Sequence, residues 1–150
     1  MTFIYSRTIR FQETDGAGVV YFANGLSLCH EAYEASLAAV GIDLQVFFTA
    51  SDRAVPIVRA EIDFFQPMTC GDRLEIHLTP QPLKDSEFAI AYQIFLTEVL
   101  EKSVCQALTR HVCIDRATRC RAPLSPELSH WLQCWSAPTV PARSSELPLG

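Results

Sequence analysis

The chain is short of the features that mark several large functional classes. No run of basic residues occurs, and 12 Lys and Arg stand against 17 Asp and Glu, for a formal net charge of -5. A nucleic-acid backbone needs a positive surface, so nucleic acid is excluded as the main partner, while a local basic patch for one small anionic ligand stays compatible. No apolar run approaches the roughly 20 residues of a membrane span. Met1 to Arg10 has no charged start followed by an apolar stretch, so no signal peptide is expected. Only 6 glycines are present, and none builds a Rossmann or P-loop turn. The 6 cysteines include no Cys-x-x-Cys pair, and no His stands at zinc-finger spacing. Free thiols, a cytoplasmic location and no metal are the resulting expectations.

What is present is enough for one domain with a real core: 150 residues, 49% of them hydrophobic. Phe3 to Phe11 alternates, with Phe3, Tyr5, Arg7, Ile9 and Phe11 on one face of a strand. A loop, Gln12 to Gly18, follows. Phe22, Leu26, Cys29, Tyr33, Leu37 and Val40 then recur at helical spacing, with Asn24 as a candidate N-cap and Gly41 as a stop. Beyond a variable stretch, four strand patterns follow: Ala54 to Phe65, Arg73 to Pro82, Glu87 to Thr97 and Ser103 to Asp115. Short turns between the last three imply an antiparallel meander. The spacing predicts a short helix from Pro126 to Trp135, capped by Ser125. Residues 1–135 thus form the domain, and 136–150, rich in Pro and Ser, read as a disordered tail. The fold class is α+β, with one long helix covering a curved antiparallel sheet of about five strands. One sheet face and an edge stay open, which favours oligomerisation.

The segment with chemical promise is Thr14-Asp15-Gly16-Ala17-Gly18-Val19-Val20-Tyr21-Phe22. Asp15 sits in a glycine-containing loop just ahead of the helix, whose first N–H groups lack intrahelical acceptors and carry a positive dipole end. A carboxylate beside such donors suits attack on a carbonyl. From spacing alone, an Asp in such a loop is more often a turn residue.

The run from Phe11 to Asn24 resembles the signature of the 4-hydroxybenzoyl-CoA thioesterase family, in which an Asp precedes a Gly-Val-Val-Tyr type turn into the central helix of a hot-dog fold. The likeness extends from Phe3 to Pro126. It is narrower toward the family's 1,4-dihydroxy-2-naphthoyl-CoA hydrolases of cyanobacteria, which serve phylloquinone synthesis. Cys29-His30-Glu31-Ala32-Tyr33-Glu34, Ile62-Asp63-Phe64-Phe65, Cys70-Gly71-Asp72-Arg73-Leu74 and His111-Val112-Cys113-Ile114 carry that narrower likeness.

The resemblance implies hydrolysis of an aromatic acyl-CoA, with no cofactor because CoA belongs to the substrate. It implies Asp15 as nucleophile or as base for water, and the backbone amide of Phe22 as the group that polarises the thioester carbonyl. Gly18 and Val19 line the turn. Lys84, Arg119 and Arg121 align with residues that contact the CoA phosphates, although Asp85 and Ser86 replace basic neighbours of Lys84. A homodimer assembling into a homotetramer, with active sites drawing on both subunits, is implied as well. Two other readings stand beside this one: a thioesterase of broad short-chain, medium-chain or aromatic specificity, and a non-enzymatic hot-dog scaffold that binds acyl groups.

Other residues have plainer readings. His30-Glu31-x-x-Glu34 lacks the second His of a metallohydrolase helix and reads as a polar flank. His111 reads as structural. Arg59, Glu61 and Asp63 share a strand face as a charge network. Trp131 and Trp135 read as a cover for the sheet edge. Cys29, in apolar surroundings, is a poor nucleophile.

Overall fold

The structure is a computed structural model that describes residues 1–137. The expected tail, from residue 138 onward, lies outside the described residues. In chain order the elements are β1 (Phe3–Thr8), a 3-10 turn (Phe11–Glu13), α1 (Phe22–Ala39), a π-type turn (Val46–Ala50), β2 (Arg53–Ala54), β3 (Ile57–Phe64), β4 (Arg73–Lys84), β5 (Glu87–Leu96), β6 (Cys105–Val112), β7 (Ile114–Asp115) and α2 (Pro126–Trp135). Five strands make one antiparallel sheet in the order β1-β4-β5-β6-β3, and β2 pairs with β7 apart from it.

The alternation read in the sequence builds this sheet. Leu74, Ile76 and Leu78 of β4 and Phe88, Ile90 and Ile94 of β5 are fully buried on one face. The long helix α1 lies across that face and buries Leu28, Cys29, Ala32, Tyr33 and Leu37 against it. One long helix held by a curved antiparallel sheet is the hot-dog fold.

Several boundaries differ from expectation: β4 runs on to Lys84, and the pattern from Ser103 to Asp115 divides into β6 and β7 at Cys113. β1 stops at Thr8, because Ile9 leaves β4 to exchange hydrogen bonds with the 71–72 turn: its N–H donates to the Asp72 carbonyl and its carbonyl accepts from Gly71, both at 2.9 Å. Phe11 therefore leaves the shared strand face and is 80% exposed. The pattern from Ala54 to Phe65 is split at Pro56, which has no N–H for a ladder. Arg53–Ala54 pairs with β7, and β3 begins at Ile57.

The helix α1 starts at Phe22, so Asn24 lies inside its first turn rather than capping it. The reason is the carbonyl of Glu13, which accepts from the Tyr21 N–H at 2.9 Å and from Asn24 Nδ2 at 3.0 Å. Those two bonds draw the chain into the helix three residues early. Its expected stripe also turns: Phe22 faces out at 65% exposure, and Leu28 and Ala32 face the core.

The last helix, α2, keeps its expected bounds and cap, with Ser125 Oγ accepting from the Leu128 N–H at 3.3 Å. Its Trp131 is a core residue rather than an edge cover. It is fully buried against Tyr33 and Phe88, and its indole N–H donates to Ser36 Oγ at 2.9 Å. Trp135 packs edge-on against Phe3 of β1. Among the described residues no helix is long and apolar enough to cross a membrane.

Candidate active site

The Asp15 loop is a closed structure. A β-bridge between Thr14 and Val20 pinches its base. Inside it the Asp15 N–H donates to the Val19 carbonyl at 2.9 Å, and the Gly18 N–H donates to the Asp15 carbonyl at 3.0 Å. Gly18 has φ +78, in the left-handed region where a side chain is strained, so glycine is the residue this turn requires. The carboxylate is exposed, and its Oδ1 accepts from the Ala17 N–H at 2.8 Å.

The loop is anchored on three sides. The Val20 N–H donates to the Met68 carbonyl at 2.8 Å. The Glu13 carbonyl holds the start of α1, as described above. Arg7 of β1 forms ion pairs with Glu13 and with Glu31 of α1, and its side chain is only 12% exposed. Strand, loop and helix are thereby clamped at one point. The partners lie 6 and 24 residues from Arg7, which is why no short motif announces the cluster.

Next to this loop the first turn of α1 is uncapped: Tyr21, in the N-cap position, makes no side-chain cap bond. Among the described residues the amides of Phe22 and Ala23 have no acceptor. Their N–H groups and the helix dipole favour an oxygen carrying negative charge. Beside them lies an apolar cleft of about 290 Å³, lined by Val19, Val20, Phe22, Phe64, Phe65 and Met68. A carboxylate, free amides and an apolar cleft make a setting for attack on an acyl carbonyl. Gly25, one turn into α1, gives β3 its close approach. A Cβ there would stand 2.8 Å from both Ile62 Cδ1 and Phe64 Cζ. Neither Gly25 nor Arg7 stood out as a site residue in the sequence.

The three basic residues aligned with CoA contacts lie elsewhere. Lys84 ends β4 opposite Glu87, and Arg121 forms an ion pair with the buried carboxylate of Glu87. Arg119 sits in the following turn with φ +63, its N–H bonded to the Asp115 carbonyl. The Asp15 loop is tied to Met68, just ahead of β4, whereas Lys84 is the last residue of that 12-residue strand. At about 3.3 Å per residue the two ends of β4 are roughly 36 Å apart. Within one chain, the structure brings Lys84 and Arg121 together at Glu87 and sets them far from Asp15.

The remaining candidates are also placed. His30 Nδ1 lies 3.3 Å from a Glu34 oxygen on the helix flank, and no group of three His, Cys, Asp or Glu among the described residues is arranged for a metal. Arg59 and Glu61 make an exposed pair at 3.4 Å, with Asp63 exposed on the same strand and not paired. His111 is fully buried, stacked on Phe88 at 4.6 Å, with Nε2 at 2.9 Å from Thr109 Oγ1. Burial, with a smaller push from His30, pulls its pKa down to about 4, so the ring is neutral at pH 7. Cys29 is 1% exposed, and burial raises its thiol pKa far above the ordinary value, which removes it as a nucleophile. All six cysteines are free.

Comparison with known proteins gives a consistent picture. Residues 9–132 match the model of the thioesterase-like superfamily. A 1,4-dihydroxy-2-naphthoyl-CoA hydrolase of Crocosphaera subtropica is 55% identical over 129 residues, covering 86% of this chain and 94% of that protein. The protein of the same name from Rippkaea orientalis is 57% identical over 129 residues, with the same coverage. Among solved structures, a 1,4-dihydroxy-2-naphthoyl-CoA thioesterase from Synechocystis superposes with a TM-score of 0.85 at 40% identity, covering 92% of this chain and all of that one.

Proposed function

This chain belongs to the thioesterase-like superfamily, and from that premise we propose that it hydrolyses 1,4-dihydroxy-2-naphthoyl-CoA to 1,4-dihydroxy-2-naphthoate and CoA, in the cytoplasm, as a step of phylloquinone or menaquinone synthesis. The observation that carries this reading is the exposed Asp15 carboxylate beside the unengaged amides of Phe22 and Ala23, at the mouth of an apolar cleft. The names of the similar cyanobacterial proteins support the choice of acyl group.

In this mechanism the thioester carbonyl oxygen points at the Phe22 N–H, which stabilises the charge that develops there as the carbonyl carbon is attacked. Gly18 and Val19 shape the turn that holds Asp15 in place. Asp15 acts in one of two ways. As a base it takes a proton from water, whose oxygen adds to the carbon and expels the CoA thiolate. As a nucleophile its carboxylate oxygen adds to the carbon and expels the CoA thiolate, and water then cleaves the resulting mixed anhydride to the free acid and the restored carboxylate. No cofactor enters, since CoA arrives with the substrate.

We further propose that two chains join through β3, and that dimers pair into a tetramer. Ile57, Val58 and Phe64 of this edge strand are 42%, 50% and 42% exposed, an apolar edge that antiparallel pairing with a second copy would cover. Such pairing sets the Phe64 end of one strand beside the Ile57 end of the other. It carries Lys84, Arg119 and Arg121 of one subunit toward Asp15 of its neighbour, where they are suited to the CoA phosphates.

The test is a panel of CoA esters followed by thiol release, with dihydroxynaphthoyl, naphthoyl, benzoyl and aliphatic acyl groups. The expected result is highest kcat/KM for the dihydroxynaphthoyl ester, with turnover abolished in a folded Asp15→Asn variant. Near wild-type turnover in that variant would remove Asp15 from the mechanism. Equal efficiency across the panel would mark a broad-specificity enzyme instead.

A further inference from the structure

Arg7 is a largely buried cation that no step of the proposed reaction uses. It leaves β1 opposite the fully buried Leu74, on the sheet face that α1 covers. Neither Arg7 nor its partners Glu13 and Glu31 line the mouth cleft, so the cluster can act on the reaction only through the groups it holds.

The guanidinium is itself fixed. Its Nε and one Nη donate to the Thr8 carbonyl at 3.3 and 3.2 Å, which lays the planar group against its own strand. From there the fork reaches two elements, Glu13 ahead of the Asp15 loop and Glu31 on α1. Glu13 is held at both ends. Arg7 takes its carboxylate, and its backbone carbonyl accepts from the Tyr21 N–H and from Asn24 Nδ2. The free amides of Phe22 and Ala23 fall between those two donors, and Asp15 follows Glu13 by two residues. Carboxylate and amides therefore hang from one residue. Asn24 and Glu31 are two helical turns apart, on one face of α1 and about 10 Å along its axis. A rod held at one point can pivot, whereas a rod held at two keeps its direction.

Stability asks for less than this. β1 already pairs with β4 from Phe3 to Thr8, and α1 is seated by Leu28, Cys29, Ala32, Tyr33 and Leu37. One cation serves two carboxylates, and Glu13 Oε2 is buried with no partner among the described residues. A buried ion cluster one charge short is a poor source of stability. What the cluster does supply is a fixed relation between the loop and the helix start.

We propose that Arg7 is a positioning residue: through Glu13 and Glu31 it sets the Asp15 carboxylate against the amides of Phe22 and Ala23. The proposal rests on the thioesterase activity put forward above and adds the residue that aligns its two halves. A lysine cannot take its place, because a point charge on a flexible stem lacks the fork that holds both carboxylates.

The test is steady-state kinetics on 1,4-dihydroxy-2-naphthoyl-CoA beside thermal unfolding. Arg7→Lys, which keeps the charge, should fold and lower kcat about tenfold or more with KM within about twofold, the mark of lost alignment. Glu31→Ala, which cuts only the helix tie at a half-exposed carboxylate, should give a smaller loss of the same kind. Arg7→Met alone would strand the Glu13 charge, so it is paired with Glu13→Gln, and the double variant should lose at least as much kcat as Arg7→Lys. Wild-type kcat in folded Arg7→Lys and in the folded double variant overturns the proposal, and so does a raised KM at unchanged kcat. Hydrogen exchange judges the clamp without turnover. In Arg7→Lys the amides of Asp15, Gly18 and Tyr21 should exchange faster while those of β4 and β5 keep wild-type rates. Exchange that rises evenly along the chain would make Arg7 a general stabiliser and overturn the proposal. A wild-type protein that cleaves no CoA ester refutes the proposed activity, while faster exchange confined to those three amides still upholds the clamp.

Discussion

The two ends of the five-stranded sheet are built from different materials. At the Asp15 end, an exposed carboxylate stands in a glycine turn beside free helix amides and half-exposed phenylalanines. At the Lys84 end, Arg121 and Arg116 are engaged, while Lys84 and Arg119 make no ion pair among the described residues. Arg121 is committed to the buried Glu87, and Arg116 donates to the carbonyls of Phe48 and Ser51 at 3.0 and 2.9 Å. One end leaves a carboxylate and helix amides available, and the other leaves cationic side chains available. On the proposed function, the difference separates a place suited to breaking a bond from a place suited to offering cationic surface to a remote part of the ligand. Since β4 holds the two ends apart, a ligand that uses both is best served by two chains.

Mutations at the two ends should therefore fail in different ways. The largest effect is expected at the first: Asp15→Asn should lower kcat by about 10²–10⁴-fold, with KM and the thermal midpoint near wild type. A purely raised KM would dissolve the distinction between the ends.

Next comes the buried histidine near the second end. The folded-state pKa of His111, about 4 against an ordinary 6.5, means that the unfolded chain binds the proton first. Its contribution is fully present above pH 6.5 and is lost as pH falls toward 4, by about 3 kcal/mol in all. Urea unfolding at stepped pH should show this slope, and His111→Phe should flatten it. An equal slope in the variant would assign it to other groups.

A smaller effect is expected at Gly25. Gly25→Val should cost about 1–3 kcal/mol through overpacking against Ile62 and Phe64. Gly25→Ala should stay close to wild type in stability, because a gain of about 1 kcal/mol in helix propensity offsets the displacement of two side-chain tips. Its signature should be a changed KM, as Phe64 shifts in the cleft. Chemical denaturation and steady-state kinetics separate the two outcomes.

The smallest effect belongs to the cationic residues. Lys84→Ala and Arg119→Ala should each raise KM for a CoA ester by about fivefold, leave kcat alone, and lose that effect at high salt. An altered kcat in either variant would place it nearer the reaction than the fold allows for one chain.

The extent to which these ends were legible in the sequence depends on the range of the forces involved. The β4–β5–β6 meander follows from period-2 burial in Leu74, Ile76, Leu78 and their partners, a local signal. Asp15 was visible through its neighbours and through family resemblance, not through spacing. The start of α1 differs from expectation because Tyr21 is not a capping residue; the Glu13 carbonyl fixes the chain there by accepting from the Tyr21 N–H and Asn24 Nδ2, and leaves the first helix amides free. The Arg7 clamp joins residues on three elements, and Gly25 reads in sequence only as a weak helix former. Trp131 looked like an edge residue because its partner, Ser36, lies 95 positions away. That Lys84 stands at the end of β4 away from the Asp15 loop, roughly 36 Å of strand at about 3.3 Å per residue, emerges only once the strand register is known.

Trp131 has one more consequence, an optical one. The chain has 2 tryptophans, both on α2: Trp131 wholly inside and hydrogen-bonded, Trp135 partly covered by Phe3. Their emission therefore reports the docking of this last helix. The protein carries its own fluorescent gauge of whether the fold has closed, mounted away from the Asp15 loop.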